Sequence, residues 1–534
     1  MCKIQIVYFD REFEHDIYEL IKAFYPEAEY QVFYEEEPSE PSDLLFRISR
    51  TEEGFEIRYK NEEHSGTACA GMIQGQSQDA LLSCFIGNSK GISYETKSGM
   101  ENSHAGETGQ EAVKGRKRSP EEMEQRKKNK DALKIELYRI LVKLTGRTLP
   151  WGNLTGIRPA KLAMSMLESG MKNTEIAGEL RELYQVSPQK AALAITIANR
   201  EREILKDIDY ENGYSLYVGI PFCPSICLYC SFSSYPLKLW KAKVDDYLDA
   251  LCREIQEVSR MMNGRKLDTI YIGGGTPTTL EPEQLTRLLK ALKDSFGFDG
   301  LVEFTVEAGR PDSITEEKLL AMRKFPISRI SVNPQSMNQV TLDIIGRKHT
   351  VEQTKEAFFL ARKCGFDNIN MDLIVGLPGE DITMVKKTLE EIRQLDPDSM
   401  TVHSLAVKRA ARLNMFRDKY QEMTFENNQE IMDLTMRTAY EMGMGPYYMY
   451  RQKNMKGNFE NVGYAKVDKA GIYNILIMEE KQPIIALGAG GSSKLVFDKG
   501  KRIERVENVK DVASYISRID EMIERKRAGI SAWL

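Results

Sequence analysis

Tyr217-Val-Gly-Ile-Pro-Phe-Cys-Pro-Ser-Ile-Cys-Leu-Tyr-Cys-Ser231 places three thiols, Cys223, Cys227 and Cys230, within eight residues directly after an apolar run. A strand ending at Ile220 delivers the backbone to a loop, and Pro221 and Pro224 stop that loop from continuing as sheet or helix. The spacing Cys-x3-Cys-x2-Cys offers three ligands rather than four. A structural zinc site closes its shell with four protein ligands, whereas an iron-sulfur cube held by three thiolates keeps one iron open to a small molecule. Buried thiols, or a zinc site completed by a distant Cys or His, are the competing accounts. The other cysteines, Cys2, Cys69, Cys84, Cys252 and Cys364, show no pairing pattern, as expected in a reducing, cytoplasmic setting.

Outward from this loop the pattern is strand then helix, six times over. Strands are expected at 215–220, 269–273, 301–307, 327–332, 368–375 and 399–405, separated by helices at 241–262, 283–295, 315–323, 351–364 and 383–395. Such alternation predicts parallel pairing and an α/β fold, an open partial (β/α)6 barrel. Ligands of such barrels sit at the carboxyl ends of the strands. The second strand runs into Gly273-Gly-Gly-Thr-Pro-Thr278, a turn where absent side chains let backbone approach a ligand, or simply a tight strand-to-helix turn. It lacks the Gly-Lys-Ser/Thr element of a phosphate loop. Glu307 ends the third predicted strand, placed to take ribose hydroxyls if it is not a plain surface residue. Gln335, Arg347 and Asp372 follow in Ser331-Val-Asn-Pro-Gln-Ser336, Leu342-Asp-Ile-Ile-Gly-Arg-Lys-His349 and Asn370-Met-Asp-Leu-Ile-Val-Gly-Leu-Pro378. Each of these singly could be structural.

Together, in this order, these motifs resemble the radical S-adenosylmethionine (SAM) superfamily, and within it the oxygen-independent coproporphyrinogen III oxidase family, over about Tyr217 to Leu405. The long N-terminal part and Tyr447-Tyr-Met-Tyr-Arg-Gln-Lys-Asn454 are similar to one branch of that family. The resemblance implies a radical SAM barrel with a [4Fe-4S] cluster on Cys223, Cys227 and Cys230, and SAM on the remaining iron. It implies that Tyr217, Gly274 and Glu307 contact that SAM. Tyr229, Gly275, Thr276, Gln335, Arg347 and Asp372 would surround a second SAM or the substrate side. It implies a 5'-deoxyadenosyl radical that takes hydrogen from a propionate of coproporphyrinogen III, leading to protoporphyrinogen IX in haem biosynthesis. A low-potential donor such as flavodoxin or ferredoxin would supply electrons. No side chain need act as acid or base. Two departures bear on the second SAM: Gly219 stands where members with oxidase activity carry His, and Phe232 where they carry a fourth Cys. A haem-binding chaperone of the same family, and a radical enzyme acting on another substrate, are the alternatives. The chaperone branch's Asn-x-x-Tyr-Trp signature is absent here.

The remaining chain frames this centre. Residues 1–86 are expected to form a small α+β unit, with a strand at 3–8, a helix at 12–24 and a strand at 55–59. Residues 87–118, rich in Gly, Ser, Glu and Lys, are expected to be a flexible insertion. Residues 119–210 form a helical module opened by Ser119-Pro-Glu-Glu, the barrel occupies 211–410, and 411–534 is a C-terminal α+β extension. Another glycine-rich segment, Ala486-Leu-Gly-Ala-Gly-Gly-Ser-Ser493, is either a wall of the barrel mouth or a β-turn. Tyr447, Tyr448 and Tyr450 read first as a core stripe, although they and Arg451 and Lys453 have the chemistry to meet a tetrapyrrole and its carboxylates. A net charge of -5 gives no footprint for nucleic acid, and no apolar run approaches the roughly 20 residues of a membrane span. A monomer is expected.

Overall fold

The computed structural model describes residues 2–51, 54–61, 65–71, 119–156, 158–406, 411–415, 427–451 and 458–534. The expected insertion at 87–118 lies outside the described residues, as does Lys453. The chain divides into two compact units, Met1–Thr155 with Glu179–Ser187, and Gly156–Gly178 with Pro188–Leu534.

In the first unit, β1 (Lys3–Tyr8), β2 (Glu29–Tyr34), β3 (Leu44–Thr51), β4 (Gly54–Asn61) and β5 (Ser65–Gly71) form one sheet in the order β2-β1-β3-β4-β5. Alternation along β3 and β4 turns Phe46, Ile48, Ile57 and Tyr59 to one face, where they join the helices Glu14–Phe24 and Pro120–Thr145 in one apolar core. The longer helix begins as its sequence dictates. Ser119 Oγ accepts from the Glu122 amide at 3.1 Å, and the Glu122 carboxylate accepts from the Ser119 amide at 2.8 Å, a capping box with Pro120 in the first turn.

The second unit holds β6 (Gly213–Ile220), β7 (Phe222–Cys223), β8 (Tyr235–Pro236), β9 (Lys266–Gly274), β10 (Glu303–Gly309), β11 (Arg329–Val332), β12 (Ile369–Val375), β13 (Ser399–Ser404), β14 (Gly445–Tyr450), β15 (Asn461–Ala465), β16 (Ile484–Leu487), β17 (Ser492–Phe497) and β18 (Arg502–Glu507). The six expected strands lie side by side in the order β13-β12-β11-β10-β9-β6, all parallel. Helices connect them, each presenting an apolar stripe. In Val244–Met261 the stripe is Tyr247, Leu248, Leu251, Ile255 and Val258, the i, i+3/i+4 spacing of a half-buried helix.

Two features differ from expectation. β10 starts at Glu303 and runs to Gly309, pairing with β11 through a bulge, so Glu307 lies inside the strand rather than at its end. The C-terminal extension also supplies a seventh parallel strand, β16, in register with β6 from Ile484↔Ser215 to Leu487↔Val218. The glycine-rich segment is the connection from β16 to the antiparallel β17.

Candidate active site

The six parallel strands alternate in a way that makes the site. Leu216, Val218, Ile270, Ile272, Phe304 and Val306 face out and are buried. The intervening residues face a shared cavity of about 670 Å3 and are polar, among them Tyr217, Tyr271, Glu307, Asn370, Asp372 and His403. Burying these polar side chains requires partners, and they supply them to one another. Thr269 donates to Ser215 at 2.8 Å, and Ser399 and Thr401 donate to Asn370 Oδ1 at 3.1 and 3.2 Å.

The cysteine loop closes over one end of the cavity, and all three of its thiols line it. Its base is a two-residue parallel ladder, Phe222↔Tyr235 and Cys223↔Pro236, reinforced by the Tyr235 amide on the Pro221 carbonyl at 2.8 Å. Burial pushes the Cys223 thiol up to about 11, against the pull of Thr276, whose hydroxyl lies 3.6 Å from the sulfur. Burial likewise raises Cys230. Arg310, itself buried, reaches Ser225 and stands 3.9 Å from the Cys227 sulfur.

The glycine turn serves this loop directly. The Gly275 amide donates to the Ile220 carbonyl at 2.7 Å and the Thr276 amide to the Phe222 carbonyl at 2.8 Å, so neither amide is left for a ligand. A Cβ on Gly275 would sit 2.5 Å from the Phe222 carbonyl oxygen. Glycine is demanded here by backbone meeting backbone.

Across the cavity, Glu307 accepts from the hydroxyls of Tyr271 and Ser331 and from Asn333 Nδ2 at 3.1 Å. Burial, then the nearby Asp372 charge, raise its carboxyl. Burial pushes Asp372 the same way, but His403, Asn370 and Arg329 outweigh it and hold that carboxyl below its usual range. Tyr271 is stacked between Tyr217 (6.3 Å) and Tyr473 (4.5 Å), an aromatic wall contributed by three separate elements.

Gln335 and Arg347 each keep one buried atom unsatisfied among the described residues, as do Arg329 and Asn461 on the same cavity. Gln335 is buried with a left-handed backbone (φ 68°), pinned by its amide on the Asp372 carbonyl and by the Ile374 amide on its own carbonyl, each at 2.9 Å. Its Oε1 and the Arg347 Nε are buried without a partner among the described residues. Unpaired buried polar atoms lining a cavity mark where a polar ligand completes the hydrogen bonding.

All twelve residues expected from the sequence line this one cavity. The sequence reading missed Tyr271, Arg310, Arg329, His403 and Tyr473, which line it too. The first four sit on or just past the parallel strands, and the period-2 polar alternation was the signal for Tyr271, Arg329 and His403. Tyr473 arrives from the helix Ile472–Glu479 and had no local signal. Tyr447 is wholly buried as a core residue, while Tyr448 and Tyr450 line the cavity. Arg451 turns away from it, to the carbonyl of Asn458 at 3.3 Å.

Among the described residues no three thiolate, imidazole or carboxylate groups converge on a single metal ion. A cube spreads three thiolates over three corners, so its ligands need not converge, and the thiol donor set suits iron-sulfur chemistry.

Residues 217–392 match the radical SAM superfamily. The oxygen-independent coproporphyrinogen-III oxidase-like protein HemZ of Bacillus subtilis is 41% identical over 409 residues, covering 76% of this chain and 82% of that protein. The heme chaperone HemW of Lactococcus lactis is 30% identical over 322 residues, covering 59% of this chain and 79% of that protein. Among solved structures, coproporphyrinogen III oxidase (HemN) from Escherichia coli matches at 24% identity with a TM-score of 0.49, over 60% of this chain and 73% of that one.

Proposed function

This chain belongs to the radical SAM superfamily, in the group of the oxygen-independent coproporphyrinogen-III oxidase-like protein, and from that premise we propose that it oxidatively decarboxylates two propionate side chains of coproporphyrinogen III to the vinyl groups of protoporphyrinogen IX, each side chain losing a hydrogen atom to a 5'-deoxyadenosyl radical, carbon dioxide, and one electron to an acceptor. The observation that carries this reading is the meeting of Cys223, Cys227 and Cys230 with two unsatisfied polar atoms, Gln335 Oε1 and Arg347 Nε, on one cavity.

The three thiolates would hold a [4Fe-4S] cluster, with Tyr217, Gly274 and Glu307 toward its SAM and Tyr229, Gly275, Thr276, Gln335, Arg347 and Asp372 toward a second SAM or the substrate. When bound, cluster and SAM supply a 5'-deoxyadenosyl radical, and the difficult chemistry is theirs. The chain's own residues position and shield. Arg310 and Thr276 place a cation and a hydroxyl beside two of the thiols. Tyr271 and Ser331 fix the Glu307 carboxylate toward ligand hydroxyls. The Tyr217–Tyr271–Tyr473 stack keeps water from that side.

A second reading, haem carriage, rests on Phe232. It is 72% exposed at the rim of the cavity, where the oxidases' fourth Cys is expected. One anoxic experiment separates the two. Reconstituted protein is given SAM, dithionite and coproporphyrinogen III, with Cys227→Ala as control. Porphyrin decarboxylation lost in the control supports the oxidase. SAM cleavage without decarboxylation assigns another substrate, and tight haem uptake without turnover assigns carriage.

A further inference from the structure

One buried cation reaches into the cysteine loop from the barrel. Arg310 follows β10 directly, after Gly309 turns the backbone through the left-handed region (φ 64°). All three nitrogens of its guanidinium have partners. Nε and Nη2 donate to the two oxygens of Asp312 at 2.9 and 2.6 Å, a bidentate pair that fixes the plane of the fork. That leaves Nη1 aimed at the loop. It donates to the Ser225 carbonyl at 3.1 Å and the Ser225 hydroxyl at 2.7 Å, and stands 3.9 Å from Cys227 Sγ. Ser225 in turn donates to the Gly346 carbonyl at 3.2 Å, so the stretch between the first two thiols is held from two separate segments.

The charge around Cys227 is lopsided. Arg347 is a second guanidinium drawn to this sulfur. Asp312 offsets Arg310, whereas Arg347, which donates to the Asn333 carbonyl, has no carboxylate within ion-pair distance among the described residues. His349, fully buried near the same groups, adds no charge: burial and then Arg347 push its imidazole down to about 3. Iron is ligated by the thiolate, and a cluster on these thiolates becomes more negative by one charge for each electron it gains. A fixed cation with an N–H directed at a ligating sulfur favours that reduced form, since net charge and hydrogen bonds to sulfur both set such potentials.

We propose that Arg310 is a positioning residue for the cluster: oriented by Asp312, it seats the loop through Ser225 and raises the cluster's reduction potential through Cys227. The inference rests on the functional reading above. In the step concerned the cluster takes one electron from a low-potential reductant, with no bond made or broken.

The test uses the full chain, reconstituted anoxically and titrated with titanium(III) citrate in the absence of SAM. Iron per chain is measured, and the reduced fraction is followed by electron paramagnetic resonance against ambient potential. Arg310→Met is expected to lower the reduced-to-oxidised ratio at a fixed potential about 10-fold, equal to about 59 mV for one electron. Arg310→Lys, which keeps the charge but not the fork, recovers most of that shift. Asp312→Asn keeps an acceptor for Arg310 and removes its counter-charge, so it moves the ratio upward. Opposite shifts in Arg310→Met and Asp312→Asn support the assignment. No shift, or shifts in one direction, in chains carrying wild-type iron would mean that Arg310 is a clamp without influence on the potential, and overturn it. If Arg310→Met takes up no iron, Asp312→Asn decides alone, and an unmoved or lowered ratio overturns the assignment. A wild-type chain that takes up no cluster overturns the functional reading itself.

Discussion

Asp372 Oδ2 stands 3.7 Å from His403 Nε2, and the two residues face the same cavity from the adjacent strands β12 and β13. Burial alone would push this carboxyl up, yet His403, Asn370 and Arg329 hold it below the usual carboxylate range. A depressed pKa contributes stability above the unfolded value, and that contribution is lost as pH falls through the lowered one. His403→Leu removes the leading partner, so the carboxyl should protonate at higher pH. Melting curves across the acid range are expected to show a smaller acid-induced loss of stability in the variant than in wild type, while Asp372→Asn shows no such limb. Coincident acid limbs in His403→Leu and wild type would remove His403 from this role.

The opposite sign belongs to Glu201. It is fully buried, neither oxygen meets a donor among the described residues, and burial and then the Glu479 charge raise its carboxyl well above the ordinary range. Burial also raises Glu479, although Lys481 lies 3.9 Å from it. Stability from a raised group is fully present below the unfolded pKa of about 4.3 and disappears as pH climbs through the raised value. Glu201→Gln cannot ionise. Its advantage over wild type in thermal midpoint should grow as pH rises above the unfolded value of about 4.3; a constant offset would mean that the Glu201 carboxyl is not raised by folding.

Gly275 tests the contact between the glycine turn and the cysteine loop. With 2.5 Å between a new Cβ and the Phe222 carbonyl oxygen, Gly275→Ala must push the loop off its seat. The parallel strands do not depend on that contact. Iron bound after anoxic reconstitution should fall by about 10-fold or more, the scale seen when the surroundings of metal ligands are disturbed. The far-UV circular dichroism should stay that of wild type. A variant with full iron would show that the loop has another way to sit.

Much of this was legible in local pattern. The six strands, the capping box at Ser119 and the cysteine loop all announce themselves within a few residues, because period, cap and ligand spacing are short-range properties. The polar face of the barrel was legible in principle. Thr269-Ile-Tyr-Ile-Gly273 and Asn370-Met-Asp-Leu-Ile374 alternate polar with apolar, but the apolar half faces the helices and the polar half the interior, the reverse of a solvent-facing sheet. The rest is long-range. β16 is four residues, and nothing in Ile484-Ile-Ala-Leu487 tells of a partner strand some 270 positions earlier. Nor does Ile472-Tyr-Asn announce that Tyr473 will stack on Tyr271. The amides of Gly275 and Thr276 bind the cysteine loop, which the local sequence does not announce. Only the fold brings Ile220 and Phe222 within reach.

The pair that ties the C-terminal extension to the barrel carries the largest stability prediction. Glu254, on the helix Val244–Met261, and Lys526, on Ile519–Trp533, are both wholly buried and meet at 2.7 Å. Glu254 also accepts from the Gly488 amide at 2.8 Å, the Tyr515 hydroxyl at 2.7 Å and Asn508 Nδ2 at 2.8 Å. Burial opposes its charge, but Lys526 and these donors together hold the carboxyl below its usual range. Removing one partner of such a pair strands the other charge, at a cost of about 3–5 kcal/mol. Lys526→Met should therefore unfold at markedly lower denaturant, and Glu254→Gln at an intermediate concentration, since an amide keeps an acceptor for Gly488 and Tyr515. Adding Glu254→Gln to Lys526→Met removes the stranded charge and should recover part of the loss. A double variant no more stable than Lys526→Met alone would place the stabilisation in packing rather than in the charge pair.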